Sequence, residues 1–357
     1  MATGSVSICS YAPAHEAAII EIRNLCAREE GGLFTTVESW RGEMALHRCL
    51  PERDLLVAMW GGQPVGYVYR FRLGESDETW LTWGEVLPGF RRRGVGTALM
   101  RELIALCRCE GQGGGQAPAP ATPLSIGMLS SPRRAGSHEL ARSLGFWCLS
   151  RSLRLERTAR GLPQAAWPQG FRFRELVPER DEELYSQLCN RAFADHFPRH
   201  DITASDVRTQ LASGVVRPGD ILLAVADPAA AEGGAGDVTP PGGLVGFCAS
   251  SFHPQGDREG LPVGDVGRLG IVPEFRRRGL GRALLLESLA RLRDRGAARV
   301  GLRVIEGNRP AQALYYSLGF APVESEVIWR LGLGGGEESP QLSPGGPRLG
   351  GGRPQGG

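Results

Sequence analysis

Lysine is absent from this sequence: all 41 basic residues are arginine, and only three asparagines, Asn24, Asn190 and Asn308, occur in 357 residues. These shortages fit a codon-composition bias better than a surface built for phosphate or nucleic acid. A net charge of +2 likewise gives no footprint for a nucleic-acid partner. No window supplies the roughly 18 consecutive apolar residues of a membrane span. The opening "MATGSVSICS" lacks the charged and apolar regions of a secretory signal, so a soluble, cytoplasmic protein without a membrane partner is expected. The eight cysteines are scattered. Cys107 and Cys109, the close pair, have no second pair or histidine at zinc-ligand spacing, so free thiols and no metal are expected.

What is present is doubled. "LPGFRRRGVGTALM" (Leu87 to Met100) returns as "VPEFRRRGLGRALL" (Val272 to Leu285). "YAPAHEAAIIEIRNLCA" from Tyr11 resembles "LVPERDEELYSQLCNRAFA" from Leu176, and "LLVAMWGGQPVGYVYRF" pairs with "ILLAVADP…GGLVGFCASSF", which carries an insertion from Asp227 to Gly243. "LSIGMLS…SHELARSLGFWCLS" pairs with "VGLRVIE…AQALYYSLGFAPVE" in the same order. An internal duplication follows, with copies of about 150 residues. The expected division is 1–156 for the first copy, 157–170 as linker, 171–331 for the second copy, and 332–357 as a Gly/Pro-rich disordered tail. Cys109 to Pro123 has the composition of a long loop. Each copy reads as α/β, a mixed and mainly antiparallel sheet flanked by helices.

The repeated phrase lies between a strand and a helix. Pro273 ends the strand "DVGRLGIV", and a helix over about Gly281 to Arg295 follows, with Leu285, Leu289 and Leu292 on one stripe and Gly296 as its left-handed cap. The first N–H groups of a helix lack internal partners and point outward at the positive end of the dipole, so they bind anions. Glycines let a pyrophosphate approach the backbone. Near Asn308 a second helix begins, where asparagine caps and Pro310 fits the first turn. Spacing places Ala311, Leu314, Tyr315 and Leu318 on its inner face, with Gln312 and Tyr316 turned elsewhere. By spacing alone Tyr315 is either a core residue or a reactive one.

On these residues the chain resembles the GNAT superfamily of acyl-CoA N-acyltransferases, whose signature is Arg/Gln-x-x-Gly-x-Gly/Ala. Arg91-x-x-Gly94-x-Gly96 and Arg276-x-x-Gly279-x-Gly281 both fit, and the likeness spans 5–155 and 171–331. The resemblance implies two tandem GNAT folds and acetyl-CoA as cosubstrate. Its pyrophosphate would lie on Arg276, Arg277, Arg278, Gly279, Leu280, Gly281 and Arg282, with Arg91, Arg92, Arg93, Gly94 and Gly96 as the first-copy counterpart. It further implies Asn308 near the cofactor, backbone N–H groups of Leu269, Gly270, Ile271 and Val272 on the thioester carbonyl, and Tyr315 as acid to the departing thiolate.

Matching Gly145-Phe146 to Gly319-Phe320 sets Arg134 against Asn308 and Ala141 against Tyr315, so the first copy lacks both and catalysis falls to the second. Asp265, at the start of the strand, is the candidate base or acceptor contact. By resemblance to tandem members with a degenerate first half it stands where they carry a substrate-binding glutamate, and His196, His200 and Asp201 fall in their acceptor-side loop. An N-acetyltransferase acting on a small-molecule or peptide amine, as monomer or homodimer, is the expectation. The resemblance leaves a cysteinyl-glucosaminyl-inositol as an alternative acceptor; a further alternative is a regulatory module that binds acetyl-CoA without turnover, which Asn308 and Tyr315 disfavour.

Overall fold

The computed structural model describes residues 5–72, 79–112, 125–134, 136–195, 201–232, 241–257 and 259–334. The first half runs β1 (Val6–Ser10), α1 (Glu16–Glu30), α2 (Val37–Leu46), α3 (Pro51–Asp54), β2 (Leu55–Trp60), β3 (Gln63–Phe71), β4 (Thr79–Val86), α4 (Val95–Gln112), β5 (Ser125–Ser130), α5 (Ser137–Ser143) and β6 (Trp147–Thr158). The second runs β7 (Phe171–Glu175), α6 (Glu182–Ala192), α7 (Ala204–Ala212), β8 (Ile221–Ala226), α8 (Pro228–Glu232), β9 (Leu244–His253), β10 (Val263–Ile271), α9 (Leu280–Asp294), β11 (Arg299–Ile305), α10 (Arg309–Ser317) and β12 (Ala321–Gly332).

Local chemistry explains the elements. The β8 run "ILLAVA" is buried throughout and has no alternation, as a strand covered on both faces requires. The α2 and α7 helices start alike: Thr36 accepts from the Ser39 N–H and Thr203 from the Asp206 N–H, each at 3.2 Å, reciprocal caps that satisfy orphan donors. The α4 helix runs to Gln112, so Cys109 to Gln112 are helical rather than loop; its apolar face packs under the sheet through Leu99, Leu103 and Cys107. The rest of that expected loop, residues 233–240 of the insertion and residues 335–357 of the expected tail lie outside the described residues.

All twelve strands form one sheet in the order β1-β2-β3-β4-β5-β12-β6-β11-β10-β9-β8-β7. The halves exchange their last strands: β12 pairs with β5 of the first half, β6 with β11 of the second, and the two pair with each other. The cores follow the exchange. Val327 and Trp329 of β12 are buried with Leu99, Leu103 and Ile126 of the first half, while Leu155 and Ala159 are buried with Leu302 and Phe320 of the second. Arg157 and Thr158, placed in the expected linker, are therefore strand residues, and the rest of the connecting segment packs Leu162, Ala165 and Trp167 against the second core. Among the described residues no helix is long and apolar enough to cross a membrane.

The parallel pairs β4–β5 and β10–β11 stay joined only over Thr79–Thr82 and Val263–Val266, then splay apart. Each half thus opens a gap at the end of its fourth strand, bordered by the Arg/Gly loop.

Candidate active site

The two Arg/Gly loops share one backbone. Arg92 and Arg277 are left-handed at φ 59° and 64°, and Gly94 and Gly279, the N-caps of α4 and α9, at φ 83° and 84°. A left-handed arginine is strained, and its recurrence at the same step of both loops marks a built nest of N–H groups at a helix start. At the next glycines a side chain would meet only ordinary contacts. A Cβ on Gly281 would lie 3.7 Å from Leu314 and 3.8 Å from Ile271, and one on Gly96 would lie 3.4 Å from Leu140 and 4.0 Å from Val86. The geometry suits a pyrophosphate lying close on backbone.

The first arginine of each phrase does other work than charge display. Arg276 donates to Ile271 O at 3.1 Å, Ala192 O at 2.9 Å and Asp195 at 2.7 Å; Arg91 donates to Val86 O at 2.9 Å and to Glu30. Each clamps its loop between the strand end and the first helix of its half. Arg278 lies over Phe275 at 4.9 Å, and Arg282 donates to Ser317 at 3.0 Å, tying α9 to α10. Arg277, like Arg92 and Arg93, is exposed. Asn308 spends its side chain on the Ala311 N–H at 3.2 Å, as the cap of α10.

Of the four carbonyl-polarising candidates, Val272 donates its N–H to Val245 O at 3.0 Å. Successive residues of a strand turn their N–H groups to opposite edges, so Gly270 faces β9 with it, while Leu269 and Ile271 face the gap. The Arg276 bond to Ile271 O agrees with that sense. Tyr315 enters from α10, 8% exposed, edge-on to Phe320 at 6.0 Å, and its hydroxyl bonds no described residue. Burial pushes its pKa well above 10, with the nearby Cys248 adding to the rise, so the proton is held at neutral pH. Tyr316 is exposed as expected. Gln312 is not: it is buried, and its amide donates to Ile305 O and Glu306 O at 3.3 and 2.6 Å, because the inner face of this short helix also closes the end of β11.

In the first half the gap is a cavity of about 450 Å³ lined by Arg92, Gly94, Gly96, Thr82 and Ser137 among others. Arg134 stands in place of the asparagine, bonded to Glu85 at 3.3 Å and lying over Trp83 at 4.2 Å, and Ala141 in place of the tyrosine is fully buried.

A larger groove of about 1300 Å³ runs between the halves, on the face where the loop after α1 meets the turn after β9. Its floor is polar and comes from the exchanged centre of the sheet: Asp265 on β10, Arg303 on β11, Arg154 and Glu156 on β6, Glu324 and Glu326 on β12. Asp265 is 3.8 Å from Arg154, which also holds Glu156 at 3.0 Å. Gly301 permits this: a Cβ there would come 2.8 Å from the Arg154 guanidinium. His253, whose Nε2 is 3.0 Å from Ser251 Oγ, lines the groove beside Asp265. Burial draws its pKa below 6.5 against the pull of the Asp265 and Glu43 carboxylates, with Arg154 and Arg295 assisting, which favours neutral imidazole.

Of the acceptor-side candidates among the described residues, Asp265 stands in this groove. Asp201 is exposed and not among the described groove residues; His196 and His200 lie outside the described residues. Arg154, Glu156, Arg303, Glu324, Glu326 and His253 were missed. The alternation of Leu153 and Leu155 with Ser152, Arg154 and Glu156 marks a strand with one polar face, but only pairing says which half it serves.

The same position differs sharply between the halves. Ser251 faces Asp265, and Ala249 faces Arg268, leaving room. In the first half Phe71 faces Leu81 and Tyr69 faces Trp83, and His47 stacks on Phe71 at 3.9 Å. Aromatic rings stand at these positions, and His47 and Trp83 border the groove from the first half.

Comparison with known proteins bears on these features. The pattern of the Acetyltransferase (GNAT) family matches residues 18–115 and 216–320. Mycothiol acetyltransferase of Thermobispora bispora is 35% identical over 250 residues, 69% of this chain and 74% of that protein. The protein of the same name from Geodermatophilus obscurus is 33% identical, over 78% and 82%. Among solved structures, a GCN5-related N-acetyltransferase from Sphaerobacter thermophilus superposes with a TM-score of 0.71 at 21% identity, covering 94% of this chain and 98% of that one. A tandem GNAT protein from the clavulanic acid biosynthesis pathway gives 0.65 at 20%, covering 93% and 100%. At such identity these two speak to the fold.

Proposed function

The chain belongs to the GNAT acetyltransferase family, and from that premise we propose that its second half moves an acetyl group from acetyl-CoA to the primary amine of a small polar molecule or peptide held in the groove between the halves. The observation that carries the assignment is the contrast just described: Tyr315 and an open, polar acceptor face in one half, Ala141 and stacked aromatics in the other.

Acetyl-CoA supplies an acyl group activated as a thioester. Gly279 to Arg282 offer helix-start N–H groups to its pyrophosphate, with Arg276 and Asn308 holding the loop and the neighbouring helix in shape. Leu269 and Ile271 turn N–H groups into the gap, where they would polarise the thioester carbonyl. Asp265 draws the incoming ammonium and accepts its proton, directly or through water. The C–N bond then forms as the C–S bond breaks, the Tyr315 hydroxyl protonates the sulfur, and the second amine proton restores the tyrosine. The net release is one proton to solvent. The first half, with an intact loop and no acid, is a binding or structural half. The divisions 1–156 and 171–331 describe the copies in sequence, and the exchanged strands join them. Eight free cysteines support a reducing, cytoplasmic setting.

A second reading of the acceptor, a cysteinyl-glucosaminyl-inositol, is favoured by the identity to proteins named mycothiol acetyltransferase.

Free-thiol release from acetyl-CoA over simple amines, aminoglycosides, cysteinyl sugars and peptide N-termini tests the activity. Gly281→Asp, whose Cβ has ordinary space, should raise the KM for acetyl-CoA at least about tenfold, since it sets a negative charge against the pyrophosphate. Gly281→Ala and Gly96→Asp should keep turnover. The opposite pattern would transfer catalysis to the first half.

A further inference from the structure

The groove floor carries one mismatch that the acetyl-transfer chemistry does not use. Glu326 holds Arg303 at 2.7 Å and Glu156 holds Arg154 at 3.0 Å. Glu324 has only the Arg133 Nε, 3.7 Å from Oε2 at the rim, while its Oε1 is buried and receives no donor from any described residue. Its side chain is 10% exposed. Arg154 lies directly opposite in the β6–β12 register but turns its guanidinium away, over Gly301, to Glu156 and Asp265.

The placement is built into the strand. The β12 ladder breaks register between Pro322 and Glu324, and a bulge of this kind re-aims the following side chain, here onto the groove. Burial raises the Glu324 pKa above 4.5; Glu326 adds to the rise, and Arg133, Arg154 and Arg134 oppose it without reversing it. A buried acceptor without a donor is rare in folded proteins, because leaving it unmet is costly. Beside Glu326 the position repels anions and suits a hydrogen-bond donor.

We propose that Glu324 receives a donor carried by the far end of the amine acceptor, so that the groove selects amines with a second hydroxyl or ammonium group. Asp265 and Glu324 are three strands apart, across β10, β11, β6 and β12, and two residues out of row along them, which sets the separation on the order of 16 Å at about 4.8 Å per strand and about 3.4 Å per residue. The inference rests on the groove being the acceptor site, as the acetyl-transfer reading has it.

Three ten-carbon primary amines test it: decylamine, the amino alcohol with a hydroxyl at its far end, and decamethylenediamine. Their chains are alike, and their far ends carry no donor, a neutral donor and a cationic donor. Calorimetry on the full chain in the presence of CoA should find the amino alcohol or the diamine about 10- to 100-fold tighter than decylamine. Which of the two gains more identifies the donor. Glu324→Leu should erase the advantage. Glu324→Gln, alike in shape and still an acceptor, should keep any gain of the alcohol and lose that of the diamine, which guards against a misfolded leucine variant. Equal binding of the three amines to the unaltered protein, or an unchanged ranking in Glu324→Leu, would overturn the proposal. Thiol release from acetyl-CoA measured in parallel separates the two readings: its absence with every amine would remove acetyl transfer, while the calorimetric ranking still judges Glu324.

Discussion

Tyr315→Phe removes one oxygen from a place where the fold makes no use of it. The hydroxyl bonds no described residue, and the ring keeps its edge-on contact with Phe320 at 6.0 Å. The variant therefore loses no hydrogen bond, and its melting temperature should stay within a degree or two. On the proposed mechanism chemistry should suffer, because there the group acts only when negative charge develops on sulfur. General acid catalysis contributes about 10²–10⁴-fold, or about 3–5 kcal/mol of barrier, and the loss should appear in kcat with the KM for acetyl-CoA little changed. Burial holds the hydroxyl protonated well beyond pH 10, so the acid should not titrate away on the alkaline side of the rate profile. Tyr316→Phe, at an exposed position on the same helix, is the control and should be mild. Thiol release with the best amine of the panel, at saturating acetyl-CoA, reads both. Full activity in Tyr315→Phe would return that tyrosine to a packing role, and a dead Tyr316→Phe would refute the orientation of α10.

Further outcomes come from the strand exchange and from a buried histidine. Residues 1–160 and 165–335 made separately should each fail to unfold cooperatively, since Trp329 belongs to the first core and Leu155 to the second, and mixing them should restore a single melting transition; a folded, active fragment would refute the shared core. Within the intact chain Trp329→Ala should cost about 3–5 kcal/mol by denaturant titration. His47, stacked on Phe71 and near Tyr69, Glu43 and Arg23, has its pKa drawn down to about 4 by burial, against the raising effect of Glu43. Because the unfolded chain takes up the proton first, stability is complete above pH 6.5 and falls toward pH 4. About 2 kcal/mol should be gone by pH 5, a loss absent from His47→Gln if the assignment holds.

Much of the plan was legible in the residues. The doubled Arg/Gly phrase, the cap at Asn308 and the phase of Tyr315 are local matters, fixed by helix starts and by the spacing of apolar positions, and they stand where the periodicity put them. Gln312 was misjudged because a nine-residue helix closing over a strand end buries more than one stripe. The charge of Arg276 next to glycine is visible in sequence, whereas the carbonyls of Ile271 and Ala192 that bind it are not.

The sequence by itself determined that there are two copies, where each places its Arg/Gly loop, and which copy carries the tyrosine at position 315, since strand-loop-helix signals act over a few residues. The tertiary structure alone decided that the copies are one sheet and that its middle is polar. Pairing β12 with β5 and β6 with β11 joins residues more than 100 positions apart, and no local preference distinguishes that register from the unexchanged one. Asp265, Arg154, Arg303 and Glu324 become neighbours only because the exchange stacks their strands in one row, about 4.8 Å apart, on a face that the helices leave open.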